Sequence, residues 1–475
     1  MPMTKSVAEC SPAVSAMQDA WNLVATLLGG TTAMRHAGEQ YLPKWPNEDP
    51  ESYQCRLQTA TLFPAFSRTV ETLTGKPFSK PLKVNDDVPP RIAELLADVD
   101  LQGRNLHSFA ADMMQIALGY GLGGILVEFP RAEGIKTLEQ ERAAGVRPYF
   151  VAIRPQQLLG WKSQRVNGKE MLTQLRFMEC VEEDEGDYGT KVVDQVRVLK
   201  RDGWETHRKN ARSEWELHEQ GKTTIGFIPF VPVYGARTAF MTAKPPLIEL
   251  AHMNVKHWQS QSDQDTLLHV ARVPVLTVIG GPQGMNPDGT RKRFELTIGA
   301  SAAVELPQGA DLKYVEHSGK AIEAGKVALD DLKEEMRQAG AELLVIKPGD
   351  MTATEASTEN AVAMCALQRI TNDLKDALDL ALSYMAAWIK EPKGGSVTLF
   401  TDFGAATLAD ASAQLLLSAN IAGKISDETL RGEFKRRAIL SPEVNEEEEK
   451  QRLEEQGPAL GEMGEDDADG KRAAA

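Results

Sequence analysis

From Lys320 to Trp388 the apolar residues keep a helical period that is broken once, by the polar stretch KPGDMTATEASTEN (Lys347 to Asn360). Before the break the stripe runs through Ile322, Leu329, Leu332, Met336, Ala339 and Leu343. After it the stripe runs through Val362, Leu367, Ile370, Leu374, Leu378, Ala381, Met385 and Trp388. The pattern predicts one helix over 320–344 and a second over about 358–391, stopped by Pro392 and Gly394-Gly395. Roughly 30 residues of helix span about 45–50 Å, long for a globular domain. Stripes of that extent exceed what one antiparallel partner covers, so neighbouring copies are expected to cover them. Within the break, Pro348-Gly349 forces a turn and Thr352-x-x-Glu355 has capping-box spacing. Thr354, Ser357 and Thr358 offer further caps. With several competing starts between 353 and 359, the first turn of the second helix is expected to be mobile.

The rest of the chain is organised around this unit. Upstream, KPPLIELAHMNVKHWQSQSDQDTLLHVA is helical by spacing. It leads into a short β segment, VPVLTVIGG, a hairpin-like turn, GMNPDGTRKRF, and a returning segment, SAAVELPQGADLKYVEH. Residues 11–75 read as helices opened by Ser11-Pro12 and Asp49-Pro50 and broken at Pro64. A helix capped by Asn105 runs into GYGLGG and a buried strand, ILVEFP. Residues 148–234 are β-rich, with EEDEGDYG and KRDG as turns, and residues 396–403 form a strand. Further helices follow over 409–456, one of them capped by Asp427, and the last 20 residues are acidic and expected to be disordered. The fold class is therefore α+β and helix-rich.

Composition and motifs remove many functions. The net charge is −15, of which −8 lies from Glu443 onward, and an acidic body argues against tight nucleic-acid binding over a large surface, though not against a surface that lets DNA slide past. No apolar run approaches the roughly 20 residues of a membrane span, and the first residues lack a secretory h-region, so synthesis in the cytosol is expected. Cys10, Cys55, Cys180 and Cys365 are scattered and read as buried small apolar residues. GYGLGG has neither the spacing nor the strand–turn–helix order of a dinucleotide fingerprint and reads as a turn that lets a helix pack close to a strand. HSGK (His317 to Lys320) lacks the first glycine of a phosphate loop, and Ser318 reads as a helix cap. The dispersed histidines form no metal-ligand pattern, and no G-x-S-x-G elbow or paired catalytic carboxylates stand out.

Thr31 to Pro81 carries Tyr53 and Arg56 three apart on a helix, then an apolar helix ending in Gly75-x-x-Phe78. Together with the order helix, β segment, helix, short loop, very long helix over 244–392, this resembles the portal proteins of tailed double-stranded DNA bacteriophages, across residues 20–430 or so. The resemblance implies a subunit with wing, stem, clip and crown regions. The wing would be 1–244 and 358–403, the stem helices 245–267 and 319–345, and the clip 268–318. The tunnel loop would be 346–357, the crown 404–456, and the acidic tail 457–475. It implies a homo-oligomeric ring, a dodecamer, at a capsid vertex of the virion, assembled in the host cytoplasm. Double-stranded DNA would pass through the ring non-specifically, with Lys347, Asp350, Thr352, Thr354 and Ser357 facing the channel. Asn286, Asp288, Arg291, Lys292 and Arg293 in the clip would meet the terminase large subunit and a head–tail adaptor, and capsid and scaffolding proteins would be further partners. No cofactor, metal, membrane or enzymatic activity of its own is implied. Two other readings stay open: a virion assembly or scaffold-type protein without a channel, and an enzyme with a dispersed site.

Overall fold

Ser11 accepts the Val14 amide at 3.4 Å and Pro12 takes the first helical position, so helix α1 (Pro12–Leu28) starts at the Ser-Pro pair. Helix α2 (Gly30–Ala37) follows at once. Asp49 accepts the Glu51 and Ser52 amides to open α3 (Pro50–Thr59). Pro64 then separates α3 from α4 (Ala65–Gly75), as its missing N–H requires. Strand β1 (Lys83–Val84), a single turn α5 (Pro90–Ala93) and the Asn105-capped α6 (Leu106–Tyr120) complete the helical N-terminal part. The computed structural model describes residues 6–130, 145–272, 275–279, 311–315, 320–344, 365–403, 416–436, 440, 448–449 and 451–452. The chain divides into two units, Met1–Thr401 and Asp402–Ala475.

In the first unit, β2 (Leu122–Glu128) lies between β3 (Tyr149–Ile153) and β9 (Phe230–Tyr234) in an antiparallel sheet. Strands β4 (Leu158–Val166), β5 (Lys169–Glu185), β6 (Gly189–Lys200), β7 (Gly203–Lys209) and β8 (Trp215–Lys222) form a meander in sequence order. A hairpin of β10 (Ala236–Ala239) and β11 (Thr242–Lys244) leads to helix α7 (Ile248–Ala271). Strands β12 (Val275–Ile279) and β13 (Asp311–Val315) pair antiparallel, Val275 opposite Val315 and Ile279 opposite Asp311. Helices α8 (Lys320–Ala341) and α9 (Ala366–Ile389) follow, and β14 (Val397–Thr398) returns to pair with β1. The main core joins Trp21 of α1 to Leu126, Ile153, Leu175, Phe177 and Phe230 of the sheets. The α+β expectation holds.

A half-buried ion network fastens the two large sheets. Arg197 of β6 pairs with Glu128 of β2 and with Glu179 of β5, the latter at 3.1 Å. The Tyr149 hydroxyl donates to Glu128 Oε2 at 2.9 Å, and burial, with the Glu128 charge next, holds the Tyr149 phenol well above its ordinary range.

Several expectations need correction. Helix α9 starts at Ala366, not between 353 and 359: Cys365 has extended backbone and its N–H donates to Gln368 Oε1 at 2.8 Å. The described helix is therefore 24 residues, about 36 Å. The middle of its stripe and that of α8 is covered within the chain, while Ile322, Leu343 and Trp388 are half-buried. Leu329, Leu332 and Met336 are buried, as are Leu367, Leu374, Leu378 and Met385, because α4, α6, α7 and β9 lie against them. Of the large apolar side chains described on these two helices, Val327 and Leu380 are exposed. Most of EEDEGDYG is strand, since Glu182 to Glu185 pair with Val192 to Gly189 and only the tip turns. The 396–403 strand shrinks to Val397–Thr398. Cys55 and Cys180 are exposed and Cys10 half-buried, so only Cys365 fits the buried reading. In the second unit, helix α10 (Asp427–Arg436) is capped by Ser426, whose Oγ accepts the Thr429 amide at 3.1 Å, and Asp427 is its first residue. Ser318 and the acidic tail lie outside the described residues.

GYGLGG behaves as the sequence suggests. Gly121 ends α6 at φ +79°, and a Cβ there would sit 2.2 Å from the Lys244 carbonyl oxygen. A Cβ at Gly119 would make only ordinary contacts, the nearest at 3.5 Å with Leu28. Gly121→Ala should lower unfolding free energy by at least about 2 kcal/mol, whereas Gly119→Ala should be neutral or gain up to about 1 kcal/mol. Urea denaturation of the two variants checks the contrast.

Candidate functional site

Helices α7 and α8, with β12 and β13 between them, form an arm rooted on the N-terminal helices. The Gln264 side chain of α7 donates to the Ile322 carbonyl at 3.0 Å. A Cβ at Gly325 would meet Gln264 Oε1 at 2.0 Å, so glycine is what lets that amide lie between the helices. At the root, Asn254 of α7 is fully buried. Its Oδ1 accepts the Phe66 amide and its Nδ2 donates to the Phe63 carbonyl, both at 2.9 Å. It thereby satisfies the Phe66 amide at the start of α4, where no local side chain caps the helix, and gives the Phe63 carbonyl a second donor beside the Ala65 amide.

One turn further on, His257 is 1% exposed. Neither ring nitrogen has a hydrogen-bond partner, and the ring lies 5.3 Å from that of Phe63. Burial, with the Lys333 charge second, pushes the imidazole below its ordinary value. Lys333 of α8 sits 5.9 Å from the Phe63 ring and pairs with Asp330 at 3.2 Å. The root is thus a junction of α4, α7 and α8 held by one amide and one neutral imidazole.

Helix α9 is fixed at both ends. Gln368 donates to the Thr401 carbonyl at 2.9 Å, Asp379 accepts the Val397 amide at 2.8 Å, and Trp388 donates to the Val127 carbonyl at 3.0 Å. The stretch 345–364 therefore joins two anchored helices.

Lys347, Asp350, Thr352, Thr354 and Ser357 all lie outside the described residues, and so do Asn286, Asp288, Arg291, Lys292 and Arg293. The structure locates the elements that carry them and brings none of them together. Tyr53 and Arg56 prove to be buried: Arg56 pairs with Glu48 and holds that carboxyl below the usual carboxylate range. Sequence reasoning missed Asn254 and His257, because a polar residue within an apolar stripe does not reveal a partner roughly 190 residues away, and it missed Glu48 because the loop that brings it back onto Arg56, eight residues on, has no periodic signal. Among the described residues no His/Cys/Asp/Glu group could hold a metal ion, and no helix is long and apolar enough to cross a membrane.

The family described as "Domain of unknown function (DUF4055)" matches residues 246–389, which run from α7 through α9. No curated protein matches the sequence. Among solved structures, the chain is similar to one described as "Virion of native gene transfer agent (GTA) particle", at 14% identity and TM-score 0.42, covering 84% of this chain and 97% of that one. A second, "Neck of empty GTA particle computed with C6 symmetry", has 15% identity, TM-score 0.40, and coverage of 78% and 88%. A third, "Neck of native GTA particle computed with C12 symmetry", has 14% identity, TM-score 0.39, and coverage of 84% and 98%. At these values the likenesses carry no functional information about this chain.

The root makes a pH prediction. An unfolded imidazole takes its proton near pH 6.5, while the folded chain resists protonation of His257. Stability should therefore fall as pH drops through about 6.5, and go on falling until the folded-state group titrates. His257→Leu should remove that part of the pH dependence. Melting temperatures of wild type and variant between pH 8 and pH 5 test this; parallel curves would contradict it.

Proposed function

We propose that the chain is a structural virion component, a portal-type subunit that forms a ring through which double-stranded DNA is packaged and ejected. The observation that carries the reading is the order and packing of one arm. Helix α7 leads into the β12–β13 pair, helix α8 returns alongside α7, and after residues 345–364 the anchored helix α9 begins. Tyr53 and Arg56, the residues of the N-terminal resemblance, support it by being structural. The same reading would put the chain in a neck particle of the kind its distant structural likenesses come from, but it stands on the chain's own elements.

In this reading α7 and α8 supply the stem, β12 and β13 belong to a clip over 268–318, and the tunnel loop is 346–357. Helices α7 and α8 carry eight carboxylates against five Lys and Arg. Repeated around a ring, that balance gives a wall with little attraction for phosphates, suited to passage rather than retention. Lys347 would supply a circle of transient cationic contacts. The clip residues Asn286, Asp288, Arg291, Lys292 and Arg293 would dock the terminase large subunit and, later, a head–tail adaptor. ATP hydrolysis would belong to the motor.

Native mass spectrometry of the purified chain should give a closed oligomer of roughly a dozen copies. A stable monomer or dimer at every concentration and salt would contradict the reading. Lys347→Ala should alter DNA packaging or retention with rings intact, and unchanged packaging would remove Lys347 from the contact set.

A further inference from the structure

The buried pair Arg56–Glu48 does more than fill space. Arg56 Nε donates to Glu48 Oε1 at 2.8 Å, and Nη2 donates to Glu48 Oε2 at 2.8 Å and to the Pro43 carbonyl at 2.9 Å. The guanidinium lies 4.1 Å from the centre of the Trp45 ring. The Trp45 amide donates to Glu48 Oε2 at 2.9 Å, and the Tyr53 hydroxyl donates to the Leu42 carbonyl at 3.1 Å. The Arg56 and Glu48 side chains are 3% and 4% exposed. Burying an ion pair carries a desolvation cost that a free surface loop has no need to meet. Here it fixes the five-residue loop from Pro43 to Asn47 in one shape, with Asn47 at φ +64°.

What the fixed loop presents is apolar. Pro43 and Pro46 are exposed, Trp45 remains 39% exposed despite the stacked guanidinium, and Lys44 stands between them. A tryptophan already held in place loses little freedom on docking, which is why such residues dominate interfaces.

Elsewhere on the same unit, β9, the start of β5 and α9 enclose a groove of about 570 Å³. Leu172, Phe230 and Tyr234 line it, and Leu380, 42% exposed, forms one side. Asp373 and Asp376, one helical turn apart, stand at its lip. Asp373 has no ion-pair partner among the described residues, and burial, then the Asp376 charge, hold its carboxyl above the usual carboxylate range. Arg237 also lines the groove and, with Arg369, partly offsets the Asp373 charge, but Glu170, Asp373 and Asp376 outnumber it in the lining, which is left apolar with a net negative charge; the loop carries an apolar side chain and a cation.

We propose that the loop from Pro43 to Asn47 is a preformed knob that inserts Trp45 into this groove on a neighbouring copy of the chain, with Lys44 against Asp373 and Asp376. The inference rests on the reading of the chain as a self-associating ring subunit. Knob and groove are different surfaces of one subunit, so the contact is head-to-tail, the kind that closes rings.

Charge reversal in the full-length chain tests it. Trp45→Ala, Lys44→Glu and the pair Asp373→Lys with Asp376→Lys should each keep the wild-type circular dichroism spectrum. Each should also need a concentration roughly tenfold or more higher to assemble. Lys44→Glu combined with Asp373→Lys and Asp376→Lys should recover assembly, which a purely local role for Lys44 would not produce. One-sided charge variants that assemble like wild type, or a combined variant as weak as its parents, would overturn the contact and leave the ring reading standing. A wild-type chain that stays monomeric throughout would overturn both.

Discussion

One buried amide decides how the N-terminal helices and the arm meet. Pro64 must break the helix, since it has no N–H to donate and its ring clashes with the preceding turn. The break leaves the Phe63 carbonyl and the Phe66 amide without helical partners, and Asn254 answers both from a different helix. A hydrophobic side chain at 254 would leave the buried Phe66 amide unsatisfied, at a cost of about 1–3 kcal/mol, while the Phe63 carbonyl would keep its bond from the Ala65 amide. Once α4 is tied to α7 at this point, α8 can pack across both. Lys333 of α8 then reaches the Phe63 ring, and the α8 glycine at 340 lies close to Thr69 of α4. The direction in which the arm leaves the body follows from this junction.

Function, in the proposed reading, depends on how firmly the helices flanking residues 345–364 are held. The helices on either side of residues 345–364 are anchored, α8 at the junction and α9 by side-chain bonds to the 397–401 segment and β2. A segment held between such supports can meet a passing polymer without disturbing the packing behind it, as functional loops on rigid scaffolds do. The loop from Pro43 to Asn47 illustrates the opposite strategy, a surface segment held rigid by a buried ion pair. A ring needs both: stiff contacts between subunits and yielding contacts with what moves through the hole.

The sequence revealed local features well. Ser11-Pro12, Asp49-Pro50, Asn105 and Pro64 act through neighbours three residues or fewer away, so their effects on α1, α3, α6 and α4 could be read directly. The turn at Gly121 was equally legible. Errors arose where tertiary partners decide. The stripes of α8 and α9 looked too long for one partner because periodicity shows a face but not what covers it. The capping residues between 352 and 358 drew the start of α9 too early, since the capping box that opens it has Cys365 where a Ser or Thr is usual. The acidic run after Val181 looked like a turn although cross-strand pairing keeps it extended. Of the site, only the carrying elements were legible, because Asn254, His257 and the Arg56–Glu48 pair depend on residues that meet only in the folded chain.

The central claim is that this chain closes into a ring whose opening is lined by the segment between α8 and α9. The most direct measurement is an electron-microscopic reconstruction of the assembled full-length chain at a resolution that traces the backbone. The account predicts a closed ring with residues 345–364 at its narrowest point and the β12–β13 end projecting along the axis. A ring with that segment on its outer surface, or an assembly with no central opening, would contradict it.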